Sequence, residues 1–257
     1  MAVIASLLSL SGAMAASIND TGQTLCYDAA NAGVACSAAV GGDGGANPRQ
    51  DGRYGRDAAA AAGRLTKVGA GSAGFDFTKI ANNGSVLLAG AALGSGPTDW
   101  ACTKDNVTGL MWEVKTASGL RSSAHTYNWY STDTATNGGV AGSVGTNTCG
   151  GTLSGSGNQC NTANYATAVN ATGLCGVTDW YLPSMRELRS IFHVGAGVIP
   201  SVDNAYFPNT ALAVYLSRTS DQTNPAYAGF VHFGGGYSVG YFKAASSNAV
   251  RLVRRGP

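Results

Sequence analysis

Charge is what this chain has least of. Only 12% of its 257 residues are Asp, Glu, Lys or Arg, and the net charge is +2. So weak a field offers nothing to steer toward a phosphate backbone, and nucleic acid is excluded as a partner on that ground. Proline is scarce at seven residues beside thirty-seven glycines, which predicts many turns and loops and little helix. No apolar run is long enough to span a bilayer. Chemistry-bearing patterns are missing too. There is no H-E-x-x-H, no G-x-S-x-G and no suggestively spaced carboxylate pair, and the three histidines, His125, His193 and His232, are scattered. Gly90–Gly96 lacks the Lys and Ser/Thr of a phosphate loop. His193 is expected to end a helix, where its charge suits the C-terminal dipole. His232 is expected to face away from Val231 and Phe233. Glu113 and Glu187 read as structural. The expectation is a protein that is not an enzyme and needs no cofactor, with a structural Ca²⁺ in the acidic and Asn-rich loops left open.

Against these absences stand a 44% hydrophobic content, enough for a core, and six cysteines. Residues 1–16 carry an apolar run and a small-x-small site at Ala13-Met14-Ala15. This reads as an export signal, although its basic start is lacking. Cys26, Cys36, Cys102, Cys149, Cys160 and Cys175 then fit an oxidised, extracytoplasmic protein, secreted, periplasmic or on the cell surface. Residues 161–172 read as a helix, which would hold Cys160 and Cys175 about 22 Å apart. A disulfide needs Cα atoms within about 7 Å, so that pair is unfavourable. The expected pairing is 26–36, 149–160 and 102–175, though spacing alone leaves connectivity open. A metal site has no C-x-x-C or clustered His to support it.

Along the chain, residues 17–98 form a Gly- and Ala-rich lead-in with few periodic signals beyond a strand at 75–80 and an Ala run at 57–62. From Asp99 the pattern sharpens. A strand is predicted at 108–115, with Leu110, Trp112 and Val114 on its core side. A helix opening at Ser184 is predicted to carry a capping box to Glu187 and a buried face of Met185, Leu188, Ile191 and Phe192. Near the end, 229–233 and 249–254 alternate as strands do. By that alternation Arg251 lies opposite Val250 and Leu252 and should leave the core. It would then either pair with Asp or Glu or, with Arg254 and Arg255, meet an anionic ligand. Between the strands lies a Gly-, Tyr-, Ser- and Asn-rich stretch from Gly234 to Asn248, the composition of an adaptable contact surface. A plain solvated hairpin has the same composition.

Four stretches now carry a resemblance: Asp105–Lys115 (D-N-V-T-G-L-M-W-E-V-K), Asp179–Ser184 (D-W-Y-L-P-S) with Glu187-Leu188, Tyr206–Thr210 (Y-F-P-N-T) and Val250–Arg254 (V-R-L-V-R). In this order they resemble the Lcl C-terminal domain family, typified by the C-terminal domain of a Legionella collagen-like adhesin. The resemblance covers about Trp100 to Arg254, and the expected domain is 99–257. It implies an α+β, C-type-lectin-like or formylglycine-generating-enzyme-like fold, with two helices on a small, twisted, loop-rich antiparallel sheet stabilised by disulfides. It implies that Trp112, Trp180, Leu182, Pro183, Phe207 and Pro208 are framework. It also implies an adhesin whose partner is a protein or a glycan, such as a sulfated polysaccharide, on another surface. Oligomerisation, as a trimer, would follow the adhesin relative. At 215–219 the family usually reads Y-W-S-S-T, and here Leu216 and Arg218 depart from it. An enzyme of the formylglycine-generating type is disfavoured, because those relatives use cysteines near the C-terminus and none follows Cys175. The E-P-N and Q-P-D triplets of calcium-dependent lectins are missing as well.

Some proteins of this fold are variable targets of diversity-generating retroelements, which rewrite adenines in Asn-type codons of a C-terminal repeat. Such changes cannot reach Lys, Glu, Gln, Met or Trp, and between Pro225 and Val250 only Lys243 lies outside the reachable set. The expected contact surface within 215–257 is Tyr215, Arg218, Ser220, Gln222, Asn224, Tyr227, His232, Tyr237, Ser238, Tyr241, Phe242, Ser246 and Asn248.

Overall fold

The computed structural model describes residues 19–246 and 248–256. The export signal expected at 1–16 lies outside the described residues. The fold is α+β, with short helices, small antiparallel sheets and three disulfides. The lead-in contributes a two-residue ribbon, β1 (Cys26–Tyr27) with β2 (Gly33–Val34), and two short helices, α1 (Asp51–Tyr54) and α2 (Arg56–Ala61).

A four-stranded sheet forms the middle of the molecule: β3 (Phe77–Ala81), β4 (Trp100–Asp105), β5 (Leu110–Glu113) and β9 (Val253–Arg255), in that order and antiparallel throughout. The β4–β5 turn is set by Asp105. Its Oδ1 accepts the N–H groups of Val107 (2.9 Å) and Thr108 (3.2 Å). Gly109 then closes the turn at φ +73°, a conformation a Cβ would resist. The last strand of the chain pairs with β5, placing Val253 opposite Trp112.

Two helices form where the pattern predicts them. α3 (Thr162–Ala171) is capped by Asn161, whose side chain accepts the Asn164 N–H at 2.9 Å. α4 (Met185–Arg189) carries the full capping box. Ser184 Oγ accepts from Glu187 N (3.2 Å), and Glu187 Oε2 accepts from Ser184 N (2.7 Å). Leu188 and Ile191 are buried, whereas Met185 and Phe192 are half-buried. The helix stops short of His193, which is buried with its ring 5.1 Å from that of Phe75 and does not cap α4. The disulfides join 26–36, 102–175 and 149–160, with Cα atoms 4.9, 6.4 and 5.9 Å apart. α3 thus begins just after one bridged cysteine and ends just before another, and it keeps the two from each other.

The second sheet is β6 (Val214–Ser220), β7 (Tyr227–His232) and β8 (Gly240–Phe242). β8 falls within the stretch that composition suggests is a loop. Tyr227, Ala228 and Gly229 face Phe242, Tyr241 and Gly240 across the β7–β8 ladder. Residues 248–253 stitch the sheets together. Leu216 N donates to Ala249 O (3.1 Å), Ala249 N to Val214 O (2.8 Å), and Val253 N to Tyr181 O (3.0 Å).

Two apolar cores result, and the stitching segment divides them. Met111, Val250 and Leu252 join Trp129, Tyr165 and Trp180 in one. Trp112, Ala249 and Val253 join Phe75, Phe207, Tyr215 and Phe233 in the other. Residues 110–115 and 248–253 are therefore buried on both faces.

Candidate functional site

The alternation that predicts an outward Arg251 is correct about the face and wrong about what lies there. Arg251 does point away from Val250 and Leu252, but into the second core, and it is fully buried. Its guanidinium donates to the Glu113 carbonyl (2.9 Å) and to Thr210 Oγ1 (2.8 Å). It lies 5.2 Å from the centre of the Phe207 ring. Glu113 is buried beside it. Glu113 Oε2 accepts the Leu252 N–H (2.9 Å), while Oε1 accepts from Lys115 Nζ (3.1 Å) and from the Tyr165 hydroxyl. Burial holds the Lys115 ammonium below the usual lysine range, with the Glu113 charge opposing that shift, and it pushes the Tyr165 phenol well up. The knot is enclosed, and all its polar groups but the Arg251 Nε have partners, so it fastens the fold and offers no access to a substrate. Sequence reading did not anticipate it, because its members are spread from position 113 to 252. The other framework positions behave as expected: Trp112, Trp180, Phe207 and Pro183 are buried, and Leu182 and Pro208 are half-buried.

The expected contact surface divides. Tyr215 and Asn248 are corrected, since each is only 1% exposed. The Tyr215 ring packs edge-on against Phe233 at 5.0 Å, and its oxygen accepts the Ala211 N–H at 2.9 Å. Asn248 donates through Nδ2 to Ala245 O (2.9 Å), while its carbonyl accepts from Tyr127 N (2.8 Å). Both belong to the stitching between sheets. Arg218 is exposed, with its guanidinium 5.3 Å from the Tyr181 ring centre and 3.7 Å from Glu187 at the start of α4. Ser220 turns toward the preceding loop and donates to Thr136 O (2.9 Å). Gln222 and Asn224 are exposed in the β6–β7 turn, and Ser246 is exposed beyond β8.

The aromatic residues sort onto the two faces of the β6–β7–β8 sheet. On one face, Tyr237 and Tyr241 meet Phe230 edge-on at 5.8 and 5.4 Å, and His232 stacks on Tyr237 at 4.9 Å, nearly parallel. On the other, Tyr227 and Phe242 face each other across the ladder at 5.8 Å. Tyr237 and Phe242 are half exposed, and His232, Tyr227 and Tyr241 are partly covered. Ser238 accepts from Arg189 of α4 (2.8 Å). Val239, not anticipated, is 56% exposed and stands two residues from both Tyr237 and Tyr241. That period-2 spacing was the available signal.

Beneath this surface sits Lys243, which is buried. Its Nζ donates to Asn137 O (2.6 Å) and Val140 O (3.1 Å) and lies 4.2 Å from the Trp129 ring centre. Desolvation lowers its pKa. The three histidines have separate surroundings: His125 beside Gly150, His193 against Phe75, and His232 on Tyr237.

The four sequence motifs meet one another in space. Asp179 takes a two-pronged contact from Arg254 (2.7 and 3.2 Å), Thr210 takes Arg251, and Glu113 takes Leu252. The family model that matches, the Lcl C-terminal domain, does so over residues 101–254, a span holding all of these contacts. No curated protein and no solved structure matches the chain. With a match over more than half its length, the chain belongs to the Lcl C-terminal domain family.

Proposed function

We propose that this is an extracytoplasmic, adhesin-like binding protein that does no chemistry and presents the outer parts of β7, β8 and their connection to a protein or glycan ligand. Family membership supports the adhesin-like reading. Three disulfides support an oxidising compartment, and no helix among the described residues is long and apolar enough to cross a membrane. The observation that carries the site is Tyr237 and Tyr241 set edge-on to Phe230, with His232 stacked on Tyr237 and Val239 exposed between the two tyrosines in sequence. These are large apolar groups left partly in water on a sheet whose inner positions are fully packed. Rigid aromatics with small polar neighbours give contact area at low entropic cost.

We further propose that the surface is diversified by a retroelement. Lys243 supports this: the one residue between Pro225 and Val250 that adenine substitution cannot produce is a buried anchor, whereas Tyr237, Val239, Phe242 and Ser246 are exposed. A fixed adhesin for sulfated glycan has less support, because Arg251 is buried and Arg254 is taken by Asp179. Sequencing the DNA around the gene tests the diversified reading. A near-copy of the 215–257 coding stretch, differing only at adenines and lying beside a reverse transcriptase, is expected. No such copy would leave a fixed adhesin. Binding itself is tested on glycan and protein arrays with Tyr237→Ala/Tyr241→Ala beside the unaltered chain. A ligand retained at full strength by the double variant would remove the site.

A further inference from the structure

Outside the family domain, three carboxylates converge from separate stretches of the lead-in. Asp20 lies in the extended segment before β1, Asp51 opens α1, and Asp57 lies on α2. One oxygen of each lies within 4.8 Å of the others. Hydrogen bonds account for part of the group. Asp20 Oδ1 accepts from Thr21 N (2.8 Å), Asp57 Oδ1 from Gly74 N (2.6 Å), and Asp51 Oδ2 from the Thr21 hydroxyl. Oδ2 of Asp20 and Oδ2 of Asp57 are both shut off from solvent and have no partner, and Asp57 is fully buried.

Counter-charge is lacking as well. Among the described residues, no ion pair reaches any of the three. Lys67 turns to the carbonyls of Gly71 and Ala73 (2.6 Å each), and Arg56 turns to that of Gly74 (3.0 Å). His193 feels the charges of Asp203 and Asp57, and burial lowers its pKa against them. Carboxylate oxygens buried without a partner are strongly disfavoured unless they are paired or coordinate a metal. The chain nevertheless makes room for them. A Cβ at Gly74 would strike Asp20 Oδ2, and a Cβ at Gly55 would strike Asp51 Oδ1.

An all-oxygen, multiply charged set is the preference of a hard divalent cation. The 4.8 Å limit on oxygen separation is about twice the 2.3–2.6 Å calcium–oxygen distance, so one ion can reach all three groups. Magnesium, which holds several waters in strict octahedral geometry, suits so enclosed a group less well. We propose that Asp20, Asp51 and Asp57 bind one Ca²⁺, which ties the segment before β1 to α1 and α2 and so fixes the lead-in. This is independent of the ligand surface on β7 and β8.

The test uses the full chain after exhaustive removal of metal with EDTA, titrated calorimetrically with CaCl2 and separately with MgCl2, and melted with and without calcium. One calcium site is expected, with Kd at or below the ~10⁻⁴–10⁻³ M typical of extracellular modules, weaker magnesium binding, and a Tm that rises with calcium. Asp57→Asn and Asp51→Asn should each weaken calcium binding by about tenfold or more, through the loss of ligand charge. Asp51 is only half-buried, so Asp51→Asn supplies the measurement should Asp57→Asn fail to fold. No heat from calcium and an unchanged Tm would overturn the proposal, and so would unaltered affinity in Asp51→Asn. A calcium-indifferent chain that Asp57→Asn stabilises would show that the carboxylates share protons instead.

Discussion

Two stretches near the C-terminus alternate in sequence yet meet opposite surroundings. Residues 249–253 put Val250 and Leu252 into one core and Ala249, Arg251 and Val253 into the other. Residues 237–242 lay Tyr237 and Tyr241 against Phe230 but leave Tyr237 and Val239 half in water. Alternation tells which side chains share a face of a strand. Whether the second face meets solvent is decided by what packs there, and that is a long-range fact. For 249–253 the second face meets Phe207 and Tyr215, so an arginine there must be satisfied internally.

The comparison can be broken most forcefully at Arg251. Arg251→Ala would leave the Glu113 carbonyl and Thr210 facing an apolar hole, and it should cost about 3–5 kcal/mol, read from urea unfolding midpoints. A loss under about 1 kcal/mol would mean that this face is open to water after all. Tyr215→Ala should fall in a similar range, about 3–5 kcal/mol for a buried aromatic, and should confirm that the N-terminal end of β6 is framework. Lys243→Ala should cost about 1–3 kcal/mol, because Asn137 O and Val140 O lose their donor. Tyr237→Ala and Phe242→Ala should change stability by about 0.5 kcal/mol or less while abolishing or sharply weakening ligand binding. A loss as large as that from Tyr215→Ala would make them core.

The parts of the fold legible in the sequence were those with local causes. The capping box at Ser184 closes within three residues, and the α3 span alone argues against a 160–175 bridge. β8 was not read from the sequence, because Gly240–Phe242 is only three residues long inside a Gly- and Ser-rich stretch and owes its strand form to pairing with β7. The burial of Arg251, the Glu113–Lys115–Tyr165 knot and the meeting of Asp20 with Asp51 and Asp57 depend on contacts between distant segments, which no local window contains. Within the candidate surface, composition gave no sign of the inward turn of Asn248, which is decided by its place beside Tyr127.

The central claim is that a variable outer surface rests on a fixed inner one, and a paired display library measures it most directly. One library randomises Tyr237, Val239, Phe242 and Ser246, and the other randomises Tyr215, Val231, Lys243 and Arg251, with both scored for folded, protease-resistant protein. The account predicts that the first library stays largely folded and the second largely does not. Equal loss in both would contradict it, because the exposed aromatics would then be part of the core.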